Sequence, residues 1–277
     1  MNIKAITTTL CFLLIIFSCK NISNDEVKEV PVQKEDTILF QNKGHELVYH
    51  MVQNVGDYQL LRSKNDVIYT YTYTTPDGKT DISTEKYIFE GELSYGEYKT
   101  HQRTLPLLEG TMEQGFDGTE YWLKANGELV NDTIALKRVM FSRPTNFYWF
   151  TMFQKLLDPG LEYEYLGAKE MDNKNFDIVK VSFETKNDEP TDIYQLYINK
   201  ETGLVDQFLF TVADFGVIEE PFLMQVEYDQ VDGFLIPSKR QYKKSNWDSE
   251  VTTTPWILVH WSDIRFNNDV KKDEFAK

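Results

Sequence analysis

Residues 67–75, with the sequence VIYTYTYTT, indicate the fold class of this chain, because aromatic and polar side chains alternate strictly along residues 69–74. Successive side chains of an extended strand point to opposite faces, so Tyr69, Tyr71 and Tyr73 share one face and the threonines share the other. Residues 76–78, Pro-Asp-Gly, then favour a turn, and strand-like residues resume after it. The stretch therefore predicts a β-hairpin.

The same succession of strand-like runs and turn residues continues to the last run, residues 256–266. Polar turn sequences separate the runs at residues 117–118, 126–127, 171–175, 199–203 and 230–233. The pattern predicts roughly eleven strands in an antiparallel meander, and a twisted sheet of that size tends to curl. Since no repeat or linker interrupts the sequence after residue 38, residues 38–277 are predicted to form one domain.

Two segments have the spacing of helices instead. Residues 38–55 carry an apolar stripe with a period near four, and residues 133–157 are helical in composition, with an interruption expected at residues 142–144 and an end at residues 158–160. The second half of this mid-chain helix is apolar nearly all round, so it must be covered on most sides or face an apolar ligand. Helices and sheet together predict a mainly β domain of the α+β class.

The first nineteen residues predict a lipid anchor. The apolar run 10–17 is shorter than the roughly 20 residues of a membrane-spanning helix, so residues 1–18 are predicted to be a signal peptide. Residues 16–19, Ile-Phe-Ser-Cys, resemble the lipobox of bacterial lipoproteins. The resemblance implies that the Cys19 thiol carries a diacylglycerol and that acyl chains hold the protein on a membrane. The alternative is an ordinary signal with an incidental cysteine.

Residues 20–37 are polar and charged, so residues 19–37 are predicted to be the lipidated cysteine and a flexible tether. Lys20 stands where enteric lipoproteins that stay in the inner membrane carry an aspartate. We therefore expect a protein of the Gram-negative cell envelope, anchored in the outer membrane and facing the periplasm.

Composition disfavours several function classes. The net charge of −15, without a cluster of basic residues, repels phosphate backbones and predicts no nucleic-acid partner. Both cysteines, Cys11 and Cys19, precede the domain, which leaves it without disulfides or thiolate metal sites. The histidines of HELVYH, residues 45–50, have the wrong spacing for a zinc-hydrolase helix, and the sequence has no nucleophile elbow, P-loop or dinucleotide fingerprint. We predict no catalytic residue, metal or cofactor.

The order of several short motifs around the mid-chain helix resembles a known family. The motifs are FDGTEYW at 116–122, GLV at 203–205, VEYD at 226–229, GFLIP at 233–237 and DIRFN at 263–267. Their order resembles the LolA/LolB-like superfamily of envelope lipoprotein carriers, and within it an uncharacterised lipoprotein branch. The resemblance covers residues 38–277. It implies an incomplete, half-open antiparallel barrel whose concave side is covered by the N-terminal and mid-chain helices, with an apolar cavity between them.

The resemblance also implies that the cavity binds acyl chains or lipids, and some members pass lipoproteins between membranes. The mobile lid arginine of the soluble carriers has only two candidates here, Arg138 and Arg143, and both are candidates by position alone.

The first functional hypothesis is a lipoprotein that binds a lipid or other apolar ligand, in lipid or lipoprotein trafficking. Its candidate ligand-binding residues are Phe147, Trp149, Phe150, Met152 and Phe153 on the helix and Tyr69, Tyr71 and Tyr73 on the sheet. The alternative is a structural or interaction lipoprotein without a small ligand, which predicts an exposed apolar patch or a long unpaired edge strand. A hydrolase is the third hypothesis.

Overall fold

A computed structural model gives the structure of residues 38–185 and 189–277. The predicted signal peptide, Cys19 and the tether lie outside the described residues, so these expectations stay predictions. Residues Phe40–Lys277 form one compact unit that contains every helix and strand described below.

Helices and strands of this unit follow the chain in a simple order. The helices are α1 (Lys43–Val55), α2 (Tyr58–Arg62) and α3 (Thr133–Lys155). The strands are β1 (Asp66–Thr74), β2 (Thr80–Ile88), β3 (Leu93–His101), β4 (Met112–Phe116), β5 (Tyr121–Ala125), β6 (Glu128–Leu129), β7 (Leu161–Met171), β8 (Lys174–Phe183), β9 (Ile193–Asn199), β10 (Val205–Val212), β11 (Val217–Val231), β12 (Phe234–Lys244) and β13 (Ile257–Phe266).

The predicted turn sequences lie between consecutive strands. Three of them have a positive φ at both central residues: Asn126 and Gly127, Asp172 and Asn173, and Asp232 and Gly233. This left-handed pair matches the twist of the flanking strands, and asparagine, aspartate and glycine adopt it at low energetic cost. Turn chemistry thus sets the register of these hairpins.

The thirteen strands form one antiparallel sheet in the order β6-β5-β4-β3-β2-β1-β13-β12-β11-β10-β9-β8-β7. The first and last strands pair in the middle of the sheet, from Val67 opposite Phe266 to Thr74 opposite Leu258. The two edges, β6 and β7, do not pair with each other, so the sheet stays open. The predicted fold class, a large open antiparallel sheet with helices, is confirmed. The strand number is higher than expected because residues 89–92 separate β2 from β3 and because β6 has only two residues.

Helix α3 connects the two edge strands and packs across the inner face of the sheet. Near its start, Ala135 and Val139 pack against side chains of β3, β4 and β5. In its middle, Phe147 and Phe150 pack against β1, β2 and β13, and near its end Phe153 packs against α1 and strands β8 to β11. Burial of each large apolar side chain contributes roughly 1.5–3 kcal/mol, so these contacts hold the helix along its length.

The expected interruption of α3 at residues 142–144 is wrong, because the helix runs through Pro144. Pro144 is exposed, and the side chains of its neighbours bond to the backbone one turn earlier: Ser142 Oγ donates to the Arg138 carbonyl at 2.9 Å, and Thr145 Oγ1 donates to the Phe141 carbonyl at 2.6 Å. Tertiary packing on both sides of the proline outweighs its local cost.

Candidate ligand-binding cavity

A cavity of about 630 Å³ lies between the inner face of the sheet and the part of α3 from Arg138 to Trp149. Ligand pockets of proteins commonly have volumes of roughly 300–1,000 Å³ and mostly apolar walls with a few polar groups. This cavity has the same character, because aromatic side chains form most of its sheet wall and a few charged groups interrupt them.

The aromatic wall follows from strand register. In β10 and β11, Phe210 is opposite Phe222, and in β11 and β12, Met224 is opposite Tyr242, so alternate residues of these strands form a continuous row on the inner face. The hydroxyl of Tyr73 on β1 hydrogen-bonds that of Tyr242 on β12, which links the row to the central strands. Alternation with a period of two therefore builds the wall.

Three of the eight predicted ligand-binding residues line this cavity, namely Tyr71, Tyr73 and Trp149. Tyr69 lies deeper in the core, where its ring stacks on Phe150 at a centroid distance of 5.0 Å and its hydroxyl bonds that of Tyr87 at 2.9 Å.

The remaining predicted residues, Phe147, Phe150, Met152 and Phe153, have exposed fractions of 2%, 2%, 3% and 4%, and they pack against other side chains of the core. The assignment of all eight residues to a ligand stays a prediction.

The first half of α3 contributes lining residues that the sequence analysis did not select. Arg138, Phe141, Thr145 and Tyr148 all border the cavity. Their spacing of three or four residues is that of one helix face. The signal was present in the sequence, but this face mixes charged, polar and aromatic side chains and so does not stand out as an apolar stripe.

The cavity opens beside the 3-10 turn Ala213–Phe215, between β10 and β11. The ring of Phe141 on α3 meets that of Phe215 edge to face, with centroids 4.8 Å apart. Phe215 and Met140 both line the cavity and are 58% and 54% exposed. Two exposed apolar side chains therefore border the cavity on this side, next to the exposed Asp214.

Two other arginines, Arg143 on α3 and Arg103 after β3, are held by carboxylates. Arg143 and Glu85 are both fully buried, with 2.9 Å between Nη1 and Oε2, and Arg143 also donates to the Tyr98 hydroxyl at 3.1 Å. Arg103 lies with its Nε 3.2 Å from Asp81 Oδ2. Because it is fixed in this way, Arg143 does not resemble the mobile lid arginine of the carriers.

A glycine makes room for the Arg143–Glu85 pair. A Cβ atom on Gly96 would lie 2.5 Å from Arg143 Nη1 and 2.8 Å from Glu85 Oε1. These distances are far inside van der Waals contact, so a larger residue would force the pair apart.

Arg240 on β12 is different, because its charge has no partner. It is 7% exposed, and within the described part of the chain its side chain makes no hydrogen bond or ion pair. Its guanidinium carbon lies 3.7 Å from the ring centroid of Trp261 and 5.7 Å from that of Trp149. Desolvation by burial lowers the pKa of Arg240 to about 10, although neighbouring tyrosines such as Tyr71 and Tyr69 raise it, so the side chain is cationic at neutral pH.

The stacking on Trp261 compensates only part of this burial. A desolvated cation–π contact is worth about 2 kcal/mol, whereas removal of an ion from water costs several kcal/mol. Arg240 is therefore a cation at the cavity wall whose burial remains incompletely compensated.

A second hollow of about 580 Å³ has a more polar lining, with the amides of Gln207, Gln225 and Gln241 and the side chains of Lys174 and Lys239. It has no aromatic row comparable to that of the first cavity. It is a weaker candidate for an apolar ligand.

Residues 38–185 and 189–277 contain no group of three or more His, Cys, Asp or Glu side chains that could hold a metal ion. His45 stacks on Tyr163 at 4.8 Å, and burial lowers its pKa. None of the helices in the described ranges is long and apolar enough to cross a membrane. That the protein is not an enzyme stays a prediction.

The sequence matches no protein-family model and no curated protein. Among solved structures, the chain is similar to a DUF1329 family protein from Desulfovibrio piger, with a TM-score of 0.51, 12% identity, and coverage of 84% of this chain and 95% of that one. It is also similar to a LolA superfamily protein from Nitrosomonas europaea, with a TM-score of 0.48, 9% identity, and coverage of 84% and 97%. The resemblance to LolA-like proteins noted in the sequence is confirmed as a likeness of fold.

Proposed function

We propose that this chain is a cell-envelope lipoprotein that binds a lipid, or another ligand with a long apolar part, in the cavity between α3 and the sheet. The observation that carries the proposal is an open cavity of about 630 Å³ with a continuous aromatic wall. A soluble domain that only filled its interior would have no reason to leave so much apolar surface unpacked, because protein interiors are close-packed.

The anchor predicted at Cys19 would keep this cavity near a membrane. The eighteen polar residues after it have a reach of roughly 20–25 Å as a flexible chain. Apolar side chains at the opening, Met140 and Phe215, would then meet lipid at the membrane surface. Placement in the outer membrane rests on Lys20 alone and belongs to the same proposal, as does a part in lipid or lipoprotein trafficking.

The alternative, an interaction protein that adds a strand to its sheet, has less support. The long edge strand β7 carries exposed charges at Glu162, Glu164 and Lys169, and its pairing with β8 shifts register between Tyr165 and Gly167. Charges and irregularities on an edge strand hinder pairing with another chain.

The test is a titration of residues 20–277 with a fluorescent fatty-acid analogue, supported by extraction of the purified protein with organic solvent and mass spectrometry of any lipid. Thr145 lies on the cavity wall, so Thr145→Trp places an indole in the cavity and should abolish binding. Ile134→Trp adds the same side chain to a position of α3 that is 80% exposed and outside the cavity, and it should leave binding intact.

Equal binding by both variants would show that the ligand does not occupy this cavity. A correctly folded protein that neither yields lipid nor binds the analogue would refute the proposal as a whole.

A further inference from the structure

We propose, on the basis of the function above, that the ligand is an anionic amphiphile: its carboxylate or phosphate group pairs with Arg240 inside the cavity, and its apolar chain lies along the aromatic wall.

The first argument is the contrast between Arg240 and the two arginines that carboxylates hold. Arg143 is neutralised by Glu85, and Arg103 by Asp81. Arg240 is also buried, with an exposed fraction of 7%, but across the described residues no carboxylate and no hydrogen-bond acceptor meets its guanidinium. Buried charges in proteins are normally paired, so a buried cation beside an open cavity indicates that the partner comes from outside the chain.

The second argument is the orientation of the guanidinium. It lies close over the indole of Trp261, with a carbon-to-centroid distance of 3.7 Å, and it borders the cavity. Its N–H groups point outward in the plane of the guanidinium, so contact with the aromatic face leaves them available to an acceptor. Carboxylate and phosphate oxygens fit two of these donors at once.

The third argument is the charge balance of the cavity wall. Its charged side chains are three arginines and two aspartates: Arg103, Arg138, Arg240, Asp192 and Asp214. Asp192 already accepts a hydrogen bond from the backbone N–H of Ala213 at 2.7 Å, and Asp214 is exposed. Because Arg103 is paired with Asp81, Arg138 and Arg240 balance the two aspartates. In a chain with a net charge of −15, this wall is therefore close to neutral and does not repel an anion as the rest of the surface does.

The experiment compares ligands that share one chain and differ in the head group: hexadecanoic acid, hexadecyl phosphate and the neutral hexadecanol. Each displaces the fluorescent analogue from the wild-type protein, Arg240→Met, Arg240→Lys and Lys239→Met. Lys239 is the matched control, because it precedes Arg240 on β12, has an exposed side chain and faces the opposite side of the sheet.

We expect the wild-type protein to bind at least one of the two anions more tightly than hexadecanol. Arg240→Met should weaken binding of that anion roughly 30-fold or more, the typical effect of removing one partner of a buried charge pair. Binding of hexadecanol should change little. Arg240→Lys should keep part of the preference for the anion, and Lys239→Met all of it. The comparison of the acid with the phosphate identifies the head group.

Failure of this inference is distinguishable from failure of the proposed function. If the acid, the phosphate and the alcohol bind the wild-type protein equally well, the cavity binds apolar chains but the anion site does not exist. If none of them binds, the proposed function fails. The comparison of head groups in the wild-type protein needs no variant, and if Arg240→Met failed to fold, unchanged anion binding by Arg240→Lys would still place the anion away from Arg240.

Discussion

Replacement of Arg240 by methionine should stabilise the ligand-free protein. Burial lowers the pKa of Arg240 from its ordinary value to about 10. Since a tenfold change in a dissociation constant corresponds to about 1.4 kcal/mol, the charged form is disfavoured in the folded state by about 3 kcal/mol. Methionine has a similar length and no charge, so this penalty disappears.

Two smaller contributions change this gain in the free energy of unfolding, one against it and one in its favour. The lost contact with Trp261 removes about 2 kcal/mol of cation–π attraction, and a thioether against the same ring returns about 0.5–1 kcal/mol. The expected net gain in the free energy of unfolding is about 1–2 kcal/mol. It lies within the range known for replacing buried charged groups by apolar ones of similar volume.

The assay is urea denaturation followed by tryptophan fluorescence and circular dichroism, without ligand. Lys239→Met is the control and should stay within about 0.5 kcal/mol of the wild type, because the Lys239 side chain is exposed. A loss of stability of more than about 1 kcal/mol in Arg240→Met would refute the reasoning, since it would show that the guanidinium is stabilised by the folded protein itself.

Four further outcomes are expected. Glu85→Gln should lower the free energy of unfolding by about 3–5 kcal/mol because it leaves Arg143 buried without its partner, and a cost below about 1 kcal/mol in urea denaturation would contradict this. Gly96→Ala should cost about 1–3 kcal/mol in the same assay, since its Cβ would clash with Arg143 Nη1; an unchanged midpoint would mean that the guanidinium moves aside. If ligand enters beside Phe215, Phe215→Ala should speed its dissociation several-fold in stopped-flow measurements, and an unchanged rate would place the entrance elsewhere. Burial raises the pKa of Tyr163 to about 12 and that of Tyr194 well above its ordinary value, so the folded state favours neutral tyrosine. The free energy of unfolding should therefore fall as the pH rises above about 10, and tyrosinate absorbance should appear together with unfolding. Tyrosinate absorbance from most tyrosines of the still-folded protein would contradict this.

Local features of the fold were predictable from the sequence. Residues 67–74 lie in β1 with the tyrosines on the inner face, and the Asn-Gly and Asp-Gly turns lie where hairpins occur. These features depend on neighbours in sequence. The pairing of β1 with β13 depends on residues at opposite ends of the domain, and alternation alone does not specify which strand is the partner of which.

Prediction of the site was less complete for a physical reason. A helix segment that is apolar all round signals burial, and Phe147, Phe150 and Phe153 are buried against other side chains of the protein. A cavity wall instead needs some polar groups, so the mixed first half of α3 was harder to recognise. Arg240 was not selected because Lys239 and Arg240 are adjacent cations in a strand, and only the sheet register determines which one faces inward.

The central position of β1 and β13 has a consequence for how the molecule is made. Strands β1 to β6 and strands β7 to β13 can each assemble from neighbouring hairpins. The two half-sheets join only when β1 pairs with β13, which needs contacts such as that between Asp66 and the backbone of Asn268, 202 positions apart. Contacts so distant along the chain form slowly, because a large loop must close first. Until then both half-sheets expose their apolar inner faces and an unpaired edge strand to other chains. The newly made polypeptide is thus exposed to aggregation during this time, and the wall of the cavity, which includes Val259 and Trp261 of β13, is complete only after the last strand has paired.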